Sequence, residues 1–158
     1  MSMRSYVRMG LSFLACYGAG FLASLFVSVG TGSWYDGLVK PLLTPDKYTV
    51  LYAWLAIYGL MAVALTMVWE KDPHVDEMRG WVPLFFSHLL VNAAWPIFFF
   101  GFHSIFIALV DIIILIFAVG ILTAGAYEVD KRAGYFLMPY FLWVLFTAYL
   151  NIRLWFLN

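Results

Sequence analysis

The chain has 158 residues, 65% hydrophobic, 20% aromatic and only 11% charged, with nine basic residues balancing nine acidic ones. A soluble domain carries charge at about a quarter of its positions, so this composition excludes an ordinary water-soluble globule and predicts a surface that faces lipid. Zero formal net charge without a basic cluster excludes nucleic-acid binding, and a single cysteine, Cys16, excludes intramolecular disulfides and thiolate metal clusters.

A helix needs about 20 apolar residues to cross roughly 30 Å of hydrocarbon. Charges and turn formers divide the sequence into five such blocks, at about 5–29, 49–69, 80–100, 104–126 and 133–157. The fold class expected is an all-α membrane protein, one five-helix transmembrane domain over 1–158.

The first block opens with Arg4 and Arg8, as a signal peptide does, but its apolar run is too long for an h-region and reads as a retained span. Cys16 within it reads as a small buried hydrophobe. Ala15, Ala19 and Ala23 make a small-xxx-small stripe that lets a helix approach closely, within the chain or across a homodimer. The connection at 30–48 mixes Gly, Pro and Asp with Trp34, Tyr35, Leu38, Leu42 and Leu43. That is too apolar for a solvated linker, and predicts a lid folded back on the bundle.

In the second block Trp54 and Tyr58 stand at i, i+4, on one helix face. The polar stretch 70–77, with His74, reads as a turn. In the third block His88, Asn92 and Trp95 fall at i, i+4 and i+7, again one face. Haem ligation by His88 would need an axial partner at matching depth. His74 and His103 both lie in connections, so a hydrogen-bonded helix residue is the better reading of His88. After the tight turn 101–103, the fourth block carries Asp111, the only carboxylate deep in an apolar run. Such an acid suggests proton coupling, or else a protonated or hydrogen-bonded group near the end of a tilted helix. Gly120 and Ala124 form a second small-residue pair, and 127–132 reads as a polar turn. The fifth block places Tyr140, Trp143 and Thr147 at i, i+3 and i+7. Trp69, Trp81 and Trp155, at block ends, read as interfacial belt residues.

Trp54, Trp95 and Trp143 lie further in, where a belt explains them less well, and they either fill the bundle or line a site. Aromatic faces with one amide suit a cavity for a flat, conjugated, mainly apolar ligand that stacks on indoles and phenols. No phosphate loop, serine elbow, zinc motif or paired intramembrane carboxylate is present, so no conventional hydrolase and no metal site is expected. Short turns and the absence of repeats argue against alternating-access transport. Counting Lys and Arg puts six on the side of the N-terminus and the second and fourth connections, against three on the other. The N-terminus is therefore expected in the cytoplasm and the C-terminus outside.

The lid reads Trp34-Tyr35-Asp36-Gly37-Leu38-Val39-Lys40-Pro41 and then Pro45, which resembles the W-Y-x-x-L-x-K-P signature of the translocator protein family. Trp54 with Tyr58, Asn92-Ala93-Ala94-Trp95 before Phe99-Phe100, and Pro139-Tyr140-Phe141-Leu142-Trp143-Val144-Leu145-Phe146 with Leu150-Asn151 follow that family's order and spacing over nearly the full length. The family includes the tryptophan-rich sensory proteins of bacteria and the peripheral-type benzodiazepine receptors of animals. The resemblance implies a five-helix receptor, and the absence of a eukaryotic targeting sequence with a retained N-terminus points to a bacterial cytoplasmic membrane. Such a receptor would bind protoporphyrin, haem and benzodiazepine-type ligands beneath the first loop, without an obligatory cofactor.

By the same resemblance Tyr35 and Pro45 close the lid, Lys40 fixes it beside Trp34 and Pro41, and Trp54 and Tyr58 line one wall. Asn92 and Trp95 would line another wall, and Trp143 with Thr147 the last. An enzymatic role attached to the family, light-dependent breakdown of protoporphyrin, would use Trp54 and Trp143; transport of tetrapyrroles is a third reading. The chain departs from the family pattern at Leu43, usually Trp, at Asp46, usually a second proline, and at Pro96, where a small polar residue is common. It departs again at Thr147, commonly Ala, which implies a narrower cavity with an added hydroxyl. Leu145, Tyr149 and Arg153 match a weak sterol-contact pattern.

Overall fold

The computed structural model describes residues 3–30, 32–71 and 76–158, with the side chains of 28–30, 33 and 76–79 left aside; His74 and most of its polar turn lie outside the described residues. Among the described residues, five helices are long and apolar enough to cross a membrane. They are α1 (Met3–Gly30), α3 (Lys47–Trp69), α4 (Asp76–Pro96) continued by a π-helical turn (Ile97–Gly101), α5 (Ile105–Val129) and α6 (Lys131–Leu157); a short α2 (Ser33–Gly37) lies in the lid. Helices are what such sequences must form in lipid, because hydrocarbon offers no partner for a free backbone N–H or C=O. α1 packs on α3 and α4, α5 on α4 and α6, and α6 closes against α3. Leu14, Leu90 and Phe117 point outward from the bundle and are largely exposed.

Polar residues start the helices. Asp46 accepts from the backbone N–H of Tyr48 at 2.9 Å and of Thr49 at 3.1 Å, and its other oxygen accepts the Thr49 hydroxyl at 2.5 Å. This arrangement is an N-cap, so the residue that stands in place of the family's second proline starts α3. The Thr49 hydroxyl first, and then the backbone donors, hold the Asp46 carboxyl below its ordinary range. Ser104 caps α5 through Ile107 N at 3.3 Å.

Asp130 both ends α5 and caps α6 through Arg132 N at 2.9 Å. The turn expected over 127–132 thus contracts to a single residue, because the cap lets α6 begin at once. Lys71 pairs with Asp130 at 3.2 Å, and Arg8 donates to the Trp69 carbonyl at 2.7 Å, at the end of α3. The start of α1 and the second and fourth connections therefore share one end of the bundle.

Pro96 carries no N–H for the helical ladder. The chain answers with the π-helical turn and a bond from Phe102 N to Ile97 O at 2.9 Å, the distortion expected at a helical proline. His103 then closes the connection at φ 53, a region that histidine enters more readily than most side chains.

Trp81 corrects the belt assignment. It is buried, and its indole donates to the Leu122 carbonyl at 2.8 Å. It can lie there because Gly125 has no Cβ, which would stand 2.9 Å from the indole ring. Trp155 is 44% exposed and Trp69 half-buried. Of the small-residue stripes, Ala15 and Ala19 pack on the main core and a Cβ at Gly120 would lie 3.5 Å from Phe141, while Ala124 is exposed.

The lid folds back as expected. Trp34, Tyr35 and Leu38 pack on a second core of Phe99, Phe100, Ala108 and Leu154. Trp34 stacks on His103 with ring centres 4.6 Å apart. The Asn158 side chain, at the end of α6, accepts from Val39 N at 2.9 Å and donates to Val39 O at 3.2 Å and Leu154 O at 2.9 Å. One amide thus ties the lid backbone to α6. Asn158→Ala is expected to speed hydrogen exchange at the Val39 amide several-fold, while amides in the middle of α6 keep their protection; Asn158→Asp, which keeps the acceptor alone, should fall between. Unchanged exchange at Val39 would show that the rings alone hold the lid.

Candidate ligand cavity

Beneath the lid lies a cavity of about 690 Å³ lined by residues of α1, α3, α4, α5, α6 and the lid, within the roughly 300–1,000 Å³ usual for small-molecule sites. All eight residues expected to line it do so: Tyr35, Pro45, Trp54, Tyr58, Asn92, Trp95, Trp143 and Thr147. Trp34, Lys40 and Pro41 stand behind the lining. Lys40 lies with its ammonium 4.7 Å from the centre of the Tyr35 ring and donates to the Asp36 carbonyl at 3.4 Å. Burial, and then the charge of Asp36, push the Tyr35 phenol above its ordinary pKa.

The rings are held in fixed relation. Trp54 stacks on Tyr58 at 5.5 Å and 29°, and stands nearly perpendicular to Trp143 at 6.4 Å and 87°. Trp95 stacks on Phe99 at 4.9 Å and 13°. Offset and edge-on pairs of this kind are favoured by the ring quadrupoles.

Two asparagines lock Tyr58 and Trp95 to neighbouring helices, while the Trp143 indole N–H is buried without a partner. Tyr58 donates to Asn92 Oδ1 at 2.7 Å, and Asn92 Nδ2 donates to the Tyr140 oxygen at 3.1 Å, which joins α3, α4 and α6. Trp95 donates to Asn151 Oδ1 at 3.1 Å, and Asn151 Nδ2 donates to Ile105 O at 3.0 Å. The Thr147 hydroxyl donates to the Trp143 carbonyl at 2.9 Å, so its hydrogen serves its own helix. The cavity is consequently mostly ring faces and aliphatic walls, with Lys47 the only charged side chain among its lining residues.

Two suggestive intramembrane residues are absent from the lining. His88 is buried between Phe85 and Tyr140, with Nδ1 against the Phe85 carbonyl and Nε2 unpartnered. Asp111 is also buried, with Oδ2 unpartnered. No histidine, cysteine or methionine is among the lining residues. Leu145 and Tyr149 of the sterol pattern are partly exposed on α6 and outside the lining.

Sequence reasoning missed the contribution of α1, where Tyr17, Gly20 and Ser24 line the cavity. Their i, i+3, i+7 spacing was a usable signal. Gly20 matters through having no side chain: a Cβ there would run into the Tyr58 ring. Asn151 and Lys47 were also passed over, the first quoted only as part of a motif.

Five membrane-length helices around an aromatic, lidded chamber define an integral membrane protein with an internal site of small-molecule size. The TspO/MBR family profile matches residues 12–156. The tryptophan-rich protein TspO of Archaeoglobus fulgidus is 36% identical over 93% of this chain and 94% of its own. That of Chlorobaculum tepidum is 35% identical over 90% of each, and the human translocator protein 34% identical over 85% of this chain and 80% of its own. The chain belongs to the TspO/MBR family.

Proposed function

We propose that this protein is a membrane receptor for porphyrins, protoporphyrin and haem among them, and for related planar apolar ligands, bound in the cavity under the lid. One observation carries the reading: Trp54, Tyr58, Trp95 and Trp143 present ring faces to a single chamber of about 690 Å³, with Tyr58 and Trp95 held by asparagines and Trp54 packed against Tyr58 and Trp143. A flat conjugated ligand gains stacking and apolar burial there without asking the walls for many hydrogen bonds. Haem, like protoporphyrin, would meet the ring faces of this lining through its own ring system. The excess of basic residues at the end bearing Arg4, Arg8 and Lys71 supports a cytoplasmic N-terminus, and we place the protein in a bacterial cytoplasmic membrane.

The test is a dark titration of the detergent-purified protein with protoporphyrin, followed by the Soret band and tryptophan quenching. Saturable binding, weakened about tenfold or more in a Trp54→Phe, Trp143→Phe double variant, is expected from the loss of two indole faces at roughly 0.5–1.5 kcal/mol each. Absence of saturable binding overturns the reading. The closeness of Trp54 and Trp143, 6.4 Å between ring centres, also favours a second reading, light-dependent porphyrin breakdown with the indoles as redox partners. It requires a defined product on illumination in air, and Trp143→Phe should then suppress product while leaving dark binding nearly intact.

A further inference from the structure

We propose that Lys47 anchors an acidic group of the ligand, so that the cavity selects planar ligands bearing a carboxylate over their neutral counterparts. The inference rests on the receptor reading and adds the chemistry by which the ligand is oriented.

Among the described residues, Lys47 is the only charged one in the lining. It is exposed and opens α3 two residues after Pro45, at the lid end of the chamber. The indole of Trp54 lies about two turns further along α3, with that of Trp143 edge-on to it. A ligand with an apolar ring system and an acidic edge therefore meets apolar rings at one end and an ammonium at the other.

The ammonium is uncommitted. Its carboxylate neighbour Asp46 spends both oxygens on Tyr48 N, Thr49 N and the Thr49 hydroxyl as the helix cap. Lys47 Nζ instead rests 5.0 Å from the centre of the Tyr48 ring, a weak exposed contact that a carboxylate can replace. Lys40, the other lid cation, is taken up by the Tyr35 ring and the Asp36 carbonyl and does not line the chamber.

Helix stability does not account for the residue either. The N-terminus of a helix carries the positive end of its dipole and disfavours a cation in the first turn. What a cation there does favour is an anion arriving from outside. The flexible stem lets the ammonium follow that anion while staying in water.

The test uses the full-length protein in detergent and two probes, protoporphyrin and its uncharged dimethyl ester, titrated in the dark against wild type, Lys47→Gln and Lys47→Arg. Lys47→Gln is expected to weaken protoporphyrin binding about three- to tenfold, the range set by a largely exposed charge pair. It should leave the diester unchanged, and Lys47→Arg should restore the loss. Comparing the two probes in each variant cancels their different partition into micelles.

A measurement on wild type alone needs no substitution: raising the salt tenfold should weaken the diacid and not the diester. Equal losses for both probes, or none for either, would overturn the assignment while leaving the receptor reading intact. Absence of saturable binding of either probe to wild type would overturn the receptor reading and the assignment with it.

Discussion

Gly134→Ala is expected to destabilise the protein, through an overpacking cost of about 1–3 kcal/mol. A Cβ at this position would lie 2.6 Å from Tyr127 Cβ and 2.8 Å from Tyr127 Cα. The second of these is backbone, so no rotamer change relieves it.

The crowding follows from the one-residue connection at Asp130, which brings the first turn of α6 against the last turn of α5. Relief would require the two helices to splay at their tightest corner and to pull Asp130 away from Lys71. Alanine's better helix propensity returns up to about 1 kcal/mol, which leaves the net change destabilising. Gly10→Ala is the control, because a Cβ there meets open space; it should leave the unfolding midpoint in detergent unchanged or raise it. Equal midpoints for the two variants would show that the corner relaxes without cost.

Asn92→Ala is expected to have the largest effect on the cavity. It removes the acceptor for Tyr58 and the donor to Tyr140 in one step, and each buried hydroxyl left unpaired costs about 1–3 kcal/mol in soluble proteins. Hydrogen bonds between membrane helices average nearer 0.6 kcal/mol, so a total loss of about 1–3 kcal/mol is the expectation. Binding should suffer as well, since a freed Tyr58 no longer holds its stack on Trp54; a loss of about tenfold in porphyrin affinity corresponds to roughly 1.4 kcal/mol.

Tyr58→Phe removes only one of the two bonds and should cost less. A double variant should cost less than the sum, because both changes break the same bond. Strict additivity in thermal unfolding and in titration would mean that Asn92 and Tyr58 act independently, against the bond described.

Lengths and faces were legible in the sequence because they are one-dimensional properties. A span needs a set number of apolar residues, and residues three, four and seven apart share a helix face whatever surrounds them. That is why Trp54 with Tyr58, Asn92 with Trp95, and Trp143 with Thr147 could be grouped before the helices were placed. The polar side chains that begin α3, α5 and α6 were on the page too, but Asp46 and Asp130 read as loop residues until their partners were seen.

The mutual rotation of the helices was decided only by the tertiary structure. In lipid both the inside and the outside of the bundle are apolar, so hydrophobicity alone does not say which face turns inward. Hydrogen bonds and close approaches do: Asn92 between Tyr58 and Tyr140, Asn151 between Trp95 and Ile105, Trp81 on Leu122 beside Gly125, and Gly20 against Tyr58. Each joins residues tens of positions apart, and in two of them the decisive residue is a glycine that acts by what it lacks. The sequence by itself determined five membrane-crossing helices and the aromatic faces they carry. Which of those faces meet, and that Lys47 and not Lys40 reaches the chamber, was settled by contacts that no spacing along the chain encodes.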